Sequence, residues 1–141
     1  MEISLEQIGT AQVVQPSGRI DSTAAQELQE KLTELMEGGQ RFLAVDFSRT
    51  ERISGAAMRV LLSVTKKLQG GGGTLVLFEM NPEVAKAFEL AEFSGRFSVA
   101  GGQSEALEQL RAAAELAEAA SRAAALLAVG EKRQQSGGKN R

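Results

Sequence analysis

The sequence of 141 residues contains no cysteine, histidine, tryptophan or tyrosine. Without cysteine the chain can form no disulfide, no thiolate metal site and no thiol nucleophile. Without histidine it has no Ser-His-Asp triad, no usual zinc site, and no access to the commonest general base at neutral pH. Catalysis would have to rely on Asp, Glu, Lys, Ser and Thr alone. We therefore predict a protein that is not an enzyme and that uses no cofactor or metal.

Long apolar segments and strong positive charge are also missing from the sequence. No stretch reaches the ~18 apolar residues of a membrane span, and Met1-Glu2-Ile3-Ser4 does not resemble the basic start of a signal peptide. The formal net charge of -2 argues against nucleic-acid binding. These features predict a cytoplasmic protein that neither binds nucleic acid nor inserts into a membrane.

Short apolar runs alternate with helical patterns along most of the chain, after an opening pair of strands. The predicted strands lie at 3–5, 11–14, 42–45, 74–78 and 97–99, and the predicted helices begin near residues 22, 54, 82 and 103. Residues 49–53 are expected to form a loop. This alternation predicts an α/β fold, with a small mixed sheet of four to five strands and helices packed on it.

Four consecutive glycines at 70–73 resemble part of a phosphate-binding loop. Such a loop requires Lys and Ser or Thr after its last glycine, at the start of a helix. Here Thr74 begins a predicted strand, so the glycines are expected to form a turn between a helix and a strand.

Three carboxylates, Asp21, Asp46 and Glu51, could form a metal or acid–base site. Asp46 is the best candidate because it ends a buried strand, where ligands often bind in α/β sheets. However, single carboxylates at strand ends usually cap loops or helices by accepting backbone N–H bonds. No spacing in the sequence links the three, and the capping interpretation is favoured.

The segment Ile53-Ser54-Gly55-Ala56-Ala57-Met58-Arg59 places small residues at a predicted helix start. Small side chains would let another surface or an anion approach the N–H groups of the first turn. Alternatively, Ser54 is an N-cap, and the small residues allow tight packing on the sheet.

The last predicted helix is longer than a small domain requires. We divide the chain into a domain at 1–115, a helical extension at 116–129 and a basic polar tail at 130–141. The tail carries a net charge of +3 and is expected to be disordered. The first half of this helix is expected to pack on the domain. In its second half, a seven-residue repeat could form a homodimer seam, or the extension could be an exposed helix without a partner. The repeat comprises Leu107, Leu110, Ala114, Ala117, Ser121, Ala124 and Ala128.

Five segments in order resemble the STAS domain of bacterial anti-sigma factor antagonists, over about residues 1–115. They are Gly18-Arg19-Ile20-Asp21 with the following leucines, Leu43-Ala44-Val45-Asp46-Phe47-Ser48, the segment from Ile53 to Leu62, Gly72-Gly73-Thr74-Leu75, and Phe93-Ser94-Gly95. The resemblance implies a sheet of four or five strands with helices on one side. It also implies binding to an anti-sigma factor, often a Ser/Thr kinase, and release of a sigma factor.

The family's binding surface centres on the start of the second helix, where its pattern is Asp-Ser-Ser-Gly-Leu. The partner kinase phosphorylates the second Ser of that pattern, which abolishes binding. By the spacing from Asp46, the corresponding residues here are Ser54, Gly55, Ala56, Ala57 and Met58. Ala56 thus occupies the phosphoacceptor position and has no hydroxyl. A register shifted by two residues would rotate the helix by about 200° and turn its apolar face outward.

The resemblance therefore implies a partner-binding regulatory protein that lacks the usual phosphoacceptor. Ser54 is the nearest hydroxyl and becomes the candidate phosphorylation site. The expected partner-binding residues are Asp21, Asp46, Ser54, Gly55, Ala56, Ala57, Met58 and Arg59. The alternative is a STAS subunit of a lipid-transporting ABC system, which would bind the transporter's ATPase.

Overall fold

The computed structural model describes residues 1–91 and 95–139, with side chains described up to residue 129. Its elements are β1 (Ile3–Ile8), β2 (Ala11–Pro16), β3 (Gly18–Ile20), α1 (Ser22–Glu37), β4 (Phe42–Asp46), β5 (Thr50–Ile53), α2 (Gly55–Gly70), β6 (Thr74–Phe78), α3 (Pro82–Leu90), β7 (Ser98–Ala100) and α4 (Gln103–Lys139). The main sheet has the order β1-β2-β4-β6-β7. Only the β1–β2 pair is antiparallel. The predicted mixed α/β sheet is confirmed.

Residues 49–53 do not form the predicted loop. Thr50–Ile53 is strand β5, which pairs in parallel with β3 and forms a second, two-stranded sheet. Both strands are short and rich in polar residues, so their local pattern does not indicate strands. The pairing between distant segments of the chain decides the structure here, as is common for β-strands.

Helices cover both faces of the main sheet, which corrects the expectation of helices on one side. Successive side chains of a strand point to opposite faces. In β4, Leu43 and Val45 join the core beneath α1, α2 and α3, whereas Ala44 joins a second core on the other face. Helix α4 covers that second face with Ala106 and Leu110, which are both fully buried.

The four glycines form the predicted turn between helix α2 and strand β6. Gly70 ends the helix, Gly72 has a positive φ of 81°, and Thr74 begins the strand. A Cβ on Gly73 would stand 2.1 Å from the carbonyl oxygen of Arg41. Only glycine therefore fits at position 73 without a shift of the backbone.

Helix α4 extends further than the sequence predicts. The sequence predicts that the helix ends near residue 128 and that 130–141 is a disordered tail, but the helix continues to Lys139. Residues 131–135 are Glu, Lys, Arg, Gln and Gln, which are good helix formers. In the described part of the chain, no helix is long and apolar enough to cross a bilayer. Phe93 and Ser94, from the last of the five segments, lie outside the described residues.

Candidate functional site

The starts of helices α1 and α2 lie side by side because strands β3 and β5 end together. Ile20 is paired with Ile53 in the parallel ladder, and each strand is followed at once by the N-cap of a helix. The backbone N–H of Ser54 donates a 2.9 Å hydrogen bond to the carbonyl oxygen of Ile20. This arrangement brings Asp21 and Ser54 to one surface.

Both residues cap their helices, as the sequence analysis proposes for Ser54. The Oδ1 atom of Asp21 accepts a 2.8 Å hydrogen bond from the backbone N–H of Ala24. The Oγ atom of Ser54 accepts one of 3.2 Å from the N–H of Ala57. Each bond satisfies a first-turn N–H group that has no partner within its helix.

A surface cavity of about 230 Å³ lies between the two caps. It is lined by Arg19, Ile20, Asp21, Arg52, Ile53 and Ser54. Arg19 forms an ion pair of 3.5 Å with Glu51, and Arg52 forms one of 3.2 Å with Glu83. Because these four side chains are more than 60% exposed, the ion pairs add little to stability.

The first turn of α2 presents only some of its small residues to solvent. Gly55 and Arg59 are exposed and Ala56 is half-buried. No heavy atom lies within 4 Å of the place where a Cβ on Gly55 would stand. Ala57 and Met58 are only 0% and 8% exposed and pack into the core. Both residues are among those predicted to contact a partner, and their side chains face the sheet instead of solvent.

Asp46 does not belong to this surface either. As the last residue of β4 it follows the alternation of Ala44 and faces the α4 side of the sheet. Its carboxylate accepts 2.9 Å hydrogen bonds from Nε2 of Gln15 and from the N–H of Ser48. It also lines a separate cavity that Gln103 of α4 borders. The structure thus corrects the placement of Asp46 beside the start of α2.

The three carboxylates that could have formed a metal or catalytic site are not brought together. Asp21 caps α1, Asp46 caps the turn after β4, and Glu51 pairs with Arg19. Among the residues that the structure describes, no group of three His, Cys, Asp or Glu side chains could hold a metal ion. The capping interpretation is confirmed for Asp21 and Asp46.

Three residues that line the cavity, Arg19, Arg52 and Ile53, are not predicted from the sequence, which indicates a loop at 49–53. The sequence nevertheless contains a repeated dipeptide that indicates this pairing of strands. The dipeptide Arg-Ile occurs at 19–20 and again at 52–53, and each time a capping residue follows. The two copies pair in register, Arg19 with Arg52 and Ile20 with Ile53.

Known proteins resemble this chain in sequence and in fold. The family model of the STAS domain matches residues 2–109. BtrV of Bordetella bronchiseptica, which carries the name of an anti-sigma factor antagonist, is 31% identical over 113 residues, covering 80% of this chain and 97% of BtrV. An anti-sigma factor antagonist from Mycobacterium paratuberculosis superposes with a TM-score of 0.72 at 21% identity, over 78% of this chain and 93% of that chain.

The unphosphorylated form of the Bacillus anti-sigma factor antagonist SpoIIAA gives a TM-score of 0.68 at 19% identity, over 79% of this chain and 97% of that chain. These structural similarities show the fold. The match to the family model and the identity with BtrV show that the chain belongs to the same protein family. The chain is therefore a STAS domain protein and belongs to the anti-sigma factor antagonist family.

Proposed function

We propose that this protein binds an anti-sigma factor and thereby releases a sigma factor. The partner docks on the surface formed by the starts of α1 and α2, which we call the helix-start surface: Arg19, Asp21, Arg52, Ser54, Gly55, Ala56 and Arg59. The observation that carries the proposal is the open space above Gly55, beside a cavity whose walls are Ile20 and Ile53. The name of BtrV, an anti-sigma factor antagonist, supports this class of partner.

The helix-start surface suits protein recognition better than chemistry. Its cavity combines apolar walls with exposed arginine and carboxylate groups at the rim, an arrangement common to protein interfaces. Arg59 is exposed on the same side of α2 as Gly55, one turn further along the helix. It would supply an ion pair at the edge of the contact. Since the chain has no histidine or cysteine, we infer a binding function without catalysis.

The regulation of this protein differs from that implied by the family pattern. Ala56 occupies the position of the family's phosphoacceptor and offers no hydroxyl. We infer that the anti-sigma factor, even where it is a Ser/Thr kinase, cannot switch off binding by modifying position 56. The protein would therefore bind constitutively or be regulated elsewhere.

Ser54 is the candidate for a displaced phosphorylation site. Its side chain is half-buried, and its Oγ atom accepts the N–H bond of Ala57. A phosphate there would add ~1.5 to 2 negative charges beside Asp21. Such a charge would repel an acidic partner and obstruct close contact at Gly55.

Affinity capture with matched variants tests the proposal. The full chain and the variants Gly55→Trp and Gly70→Trp are immobilised and exposed to lysate of the native bacterium, and retained proteins are identified by mass spectrometry. Both glycines lie at ends of α2, have ordinary φ angles and have open space at the Cβ position. Both variants should therefore fold, and only the first should obstruct the helix-start surface.

We expect an anti-sigma factor to be retained by the wild type and by Gly70→Trp, and to be lost from Gly55→Trp. Calorimetry with that purified anti-sigma factor should show an affinity reduced by about tenfold or more, which is ~1.4 kcal/mol. Capture of a transporter ATPase instead would replace the proposal with the ABC-transporter alternative. Equal binding by both variants would remove the helix-start surface as the interface.

A further inference from the structure

Helix α4 leaves the sheet after its first turns and then runs without cover from the described residues. Leu110 is fully buried against the second core, but every side chain from 118 to 129 is exposed. Leu116 and Leu127 are 74% and 70% exposed. Single exposed apolar side chains are common, but a continuous exposed apolar surface marks an interaction site.

These two leucines belong to one narrow stripe on α4. Leu116, Ala120, Ala123 and Leu127 follow each other at intervals of four, three and four residues, the spacing of a coiled-coil seam. We call them the Leu-Ala stripe. At 3.6 residues per turn the stripe lies roughly 110° around the helix from Leu110, so it does not face the sheet.

The Leu-Ala stripe replaces the seam that the sequence suggests. That seam begins with Leu107 and Leu110, but these two residues pack on the chain's own sheet. They are therefore not available to a second molecule.

Five charged residues of α4 between positions 108 and 122 lie on the other side of the helix and pair with one another. Arg111 bonds to Glu108 and, at 2.9 Å, to Glu115, whereas Arg122 bonds to Glu118 at 2.6 Å. The hydrogen bond with Glu108 and the charges of Glu108 and Glu115 raise the pKa of Arg111. With these charges satisfied along one side, the Leu-Ala stripe remains free of charge and suited to an apolar contact.

We propose that the Leu-Ala stripe binds the same stripe of a second copy of this chain, with the two helices antiparallel. Leu116 and Leu127 are equally distant from the midpoint between residues 121 and 122, and so are Ala120 and Ala123. A two-fold axis at that midpoint sets each leucine against a leucine and each alanine against an alanine. Such self-complementarity is what a two-fold symmetric interface requires, and the alanines allow the backbones to approach closely.

Charge selects the antiparallel orientation. Residues 103–118 carry four glutamates against one arginine, a net charge of -3. Residues 130–139, which complete α4, carry three basic residues against Glu131, a net charge of +2. Antiparallel packing sets the acidic segment of one copy beside the basic segment of the other, whereas parallel packing would set like charges together.

Sedimentation equilibrium of the full chain tests the contact. The expected mass is twice the 15.0 kDa of one chain. The double variant Leu116→Gln/Leu127→Gln should sediment as a single chain with unchanged helix content by circular dichroism, because Gln is nearly as good a helix former as Leu. Val129→Gln is the matched control: Val129 is also exposed, but it lies on the charged side of α4. This variant should remain a dimer.

Cysteine cross-linking tests the orientation, since the native chain has no cysteine. In the antiparallel arrangement the two copies of Ala113 lie about 25 Å apart along the helix axis. Ala113→Cys should therefore form no disulfide, while a mixture of Ala120→Cys and Ala123→Cys chains should cross-link. A wild-type chain that stays monomeric overturns the proposal, and so does equal loss of the dimer in the Val129→Gln control. Disulfide-linked Ala113→Cys dimers overturn the antiparallel orientation.

Discussion

The N–H group of Ser54 donates a hydrogen bond to the carbonyl oxygen of Ile20. Ser54, the N-cap of α2, is thus bonded to the residue that directly precedes Asp21, the N-cap of α1. The two helix starts cannot separate without breaking this bond and the β3–β5 ladder. The helix-start surface is therefore a preformed platform, which a partner can bind without first ordering a loop.

The N-cap at Ser54 can be tested by stability. Ser54→Ala removes the oxygen that accepts the Ala57 N–H and should lower the free energy of unfolding by ~1 kcal/mol. Ser54→Asp supplies another good cap and should keep the wild-type value. Urea unfolding checks both variants, and equal losses in the two would show that the cap is not the cause.

Restoring a hydroxyl at position 56 should restore a phosphorylation site. If the captured anti-sigma factor is a kinase, Ala56→Ser should become labelled by it with ATP, and the wild type should not be labelled at this position. Ala56→Asp should weaken the binding of the anti-sigma factor more than Ala56→Asn does, because only Asp adds a charge at the contact. Equal effects of Asp and Asn would mean that size and not charge matters at this position.

Two aspartates distinguish the face that binds the partner. Asp21→Asn keeps a good N-cap but removes a charge from the helix-start surface. This substitution should change the association rate and its dependence on salt, because charges at the rim of an interface act mainly on the rate of association. Asp46→Asn removes a charge on the α4 side of the sheet and should leave both quantities unchanged. Stopped-flow binding at two salt concentrations measures the difference, and a larger effect of Asp46→Asn would place the partner on the opposite face.

The turn before β6 offers a second test of stability. Gly73→Ala would force a Cβ toward the carbonyl oxygen of Arg41, which accepts the N–H of Thr74 at 2.9 Å. The backbone must shift, at a cost of ~1 to 3 kcal/mol. Gly70→Ala meets open space and should leave stability unchanged or raise it by up to ~1 kcal/mol. Thermal unfolding of both variants checks the contrast, and a wild-type melting temperature for Gly73→Ala would contradict it.

The sequence predicts the parts of the fold that depend on local patterns. Apolar runs such as 42–45 and helix caps such as Ser54 have signatures within a few residues, and both occur where predicted. Strand β5 lacks such a signature because it exists only through its pairing with β3, about thirty residues earlier. The placement of α4 is equally non-local, since it depends on which face of the sheet remains uncovered.

The candidate site was predictable only in part for the same reason. The position of Ser54 along the chain identifies it as a helix start, and the structure agrees. Whether a neighbour faces solvent or core depends on the rotation of the helix about its axis, and this rotation buries Ala57 and Met58. The direction of the Asp46 side chain follows from the alternation of β4, which becomes informative only when the cover on each face is known.

The position of α4 on the face opposite α1 and α2 divides the buried apolar side chains into two separate clusters. Leu110 belongs to the core beneath α4, whereas the start of α2 adjoins the core on the other face. Changes on the two faces should therefore be thermodynamically independent. The destabilisation of Leu110→Ala and that of Ser54→Ala should add in the double variant to within about 0.5 kcal/mol. Sequence variation could then alter either face of the sheet without compensation on the other.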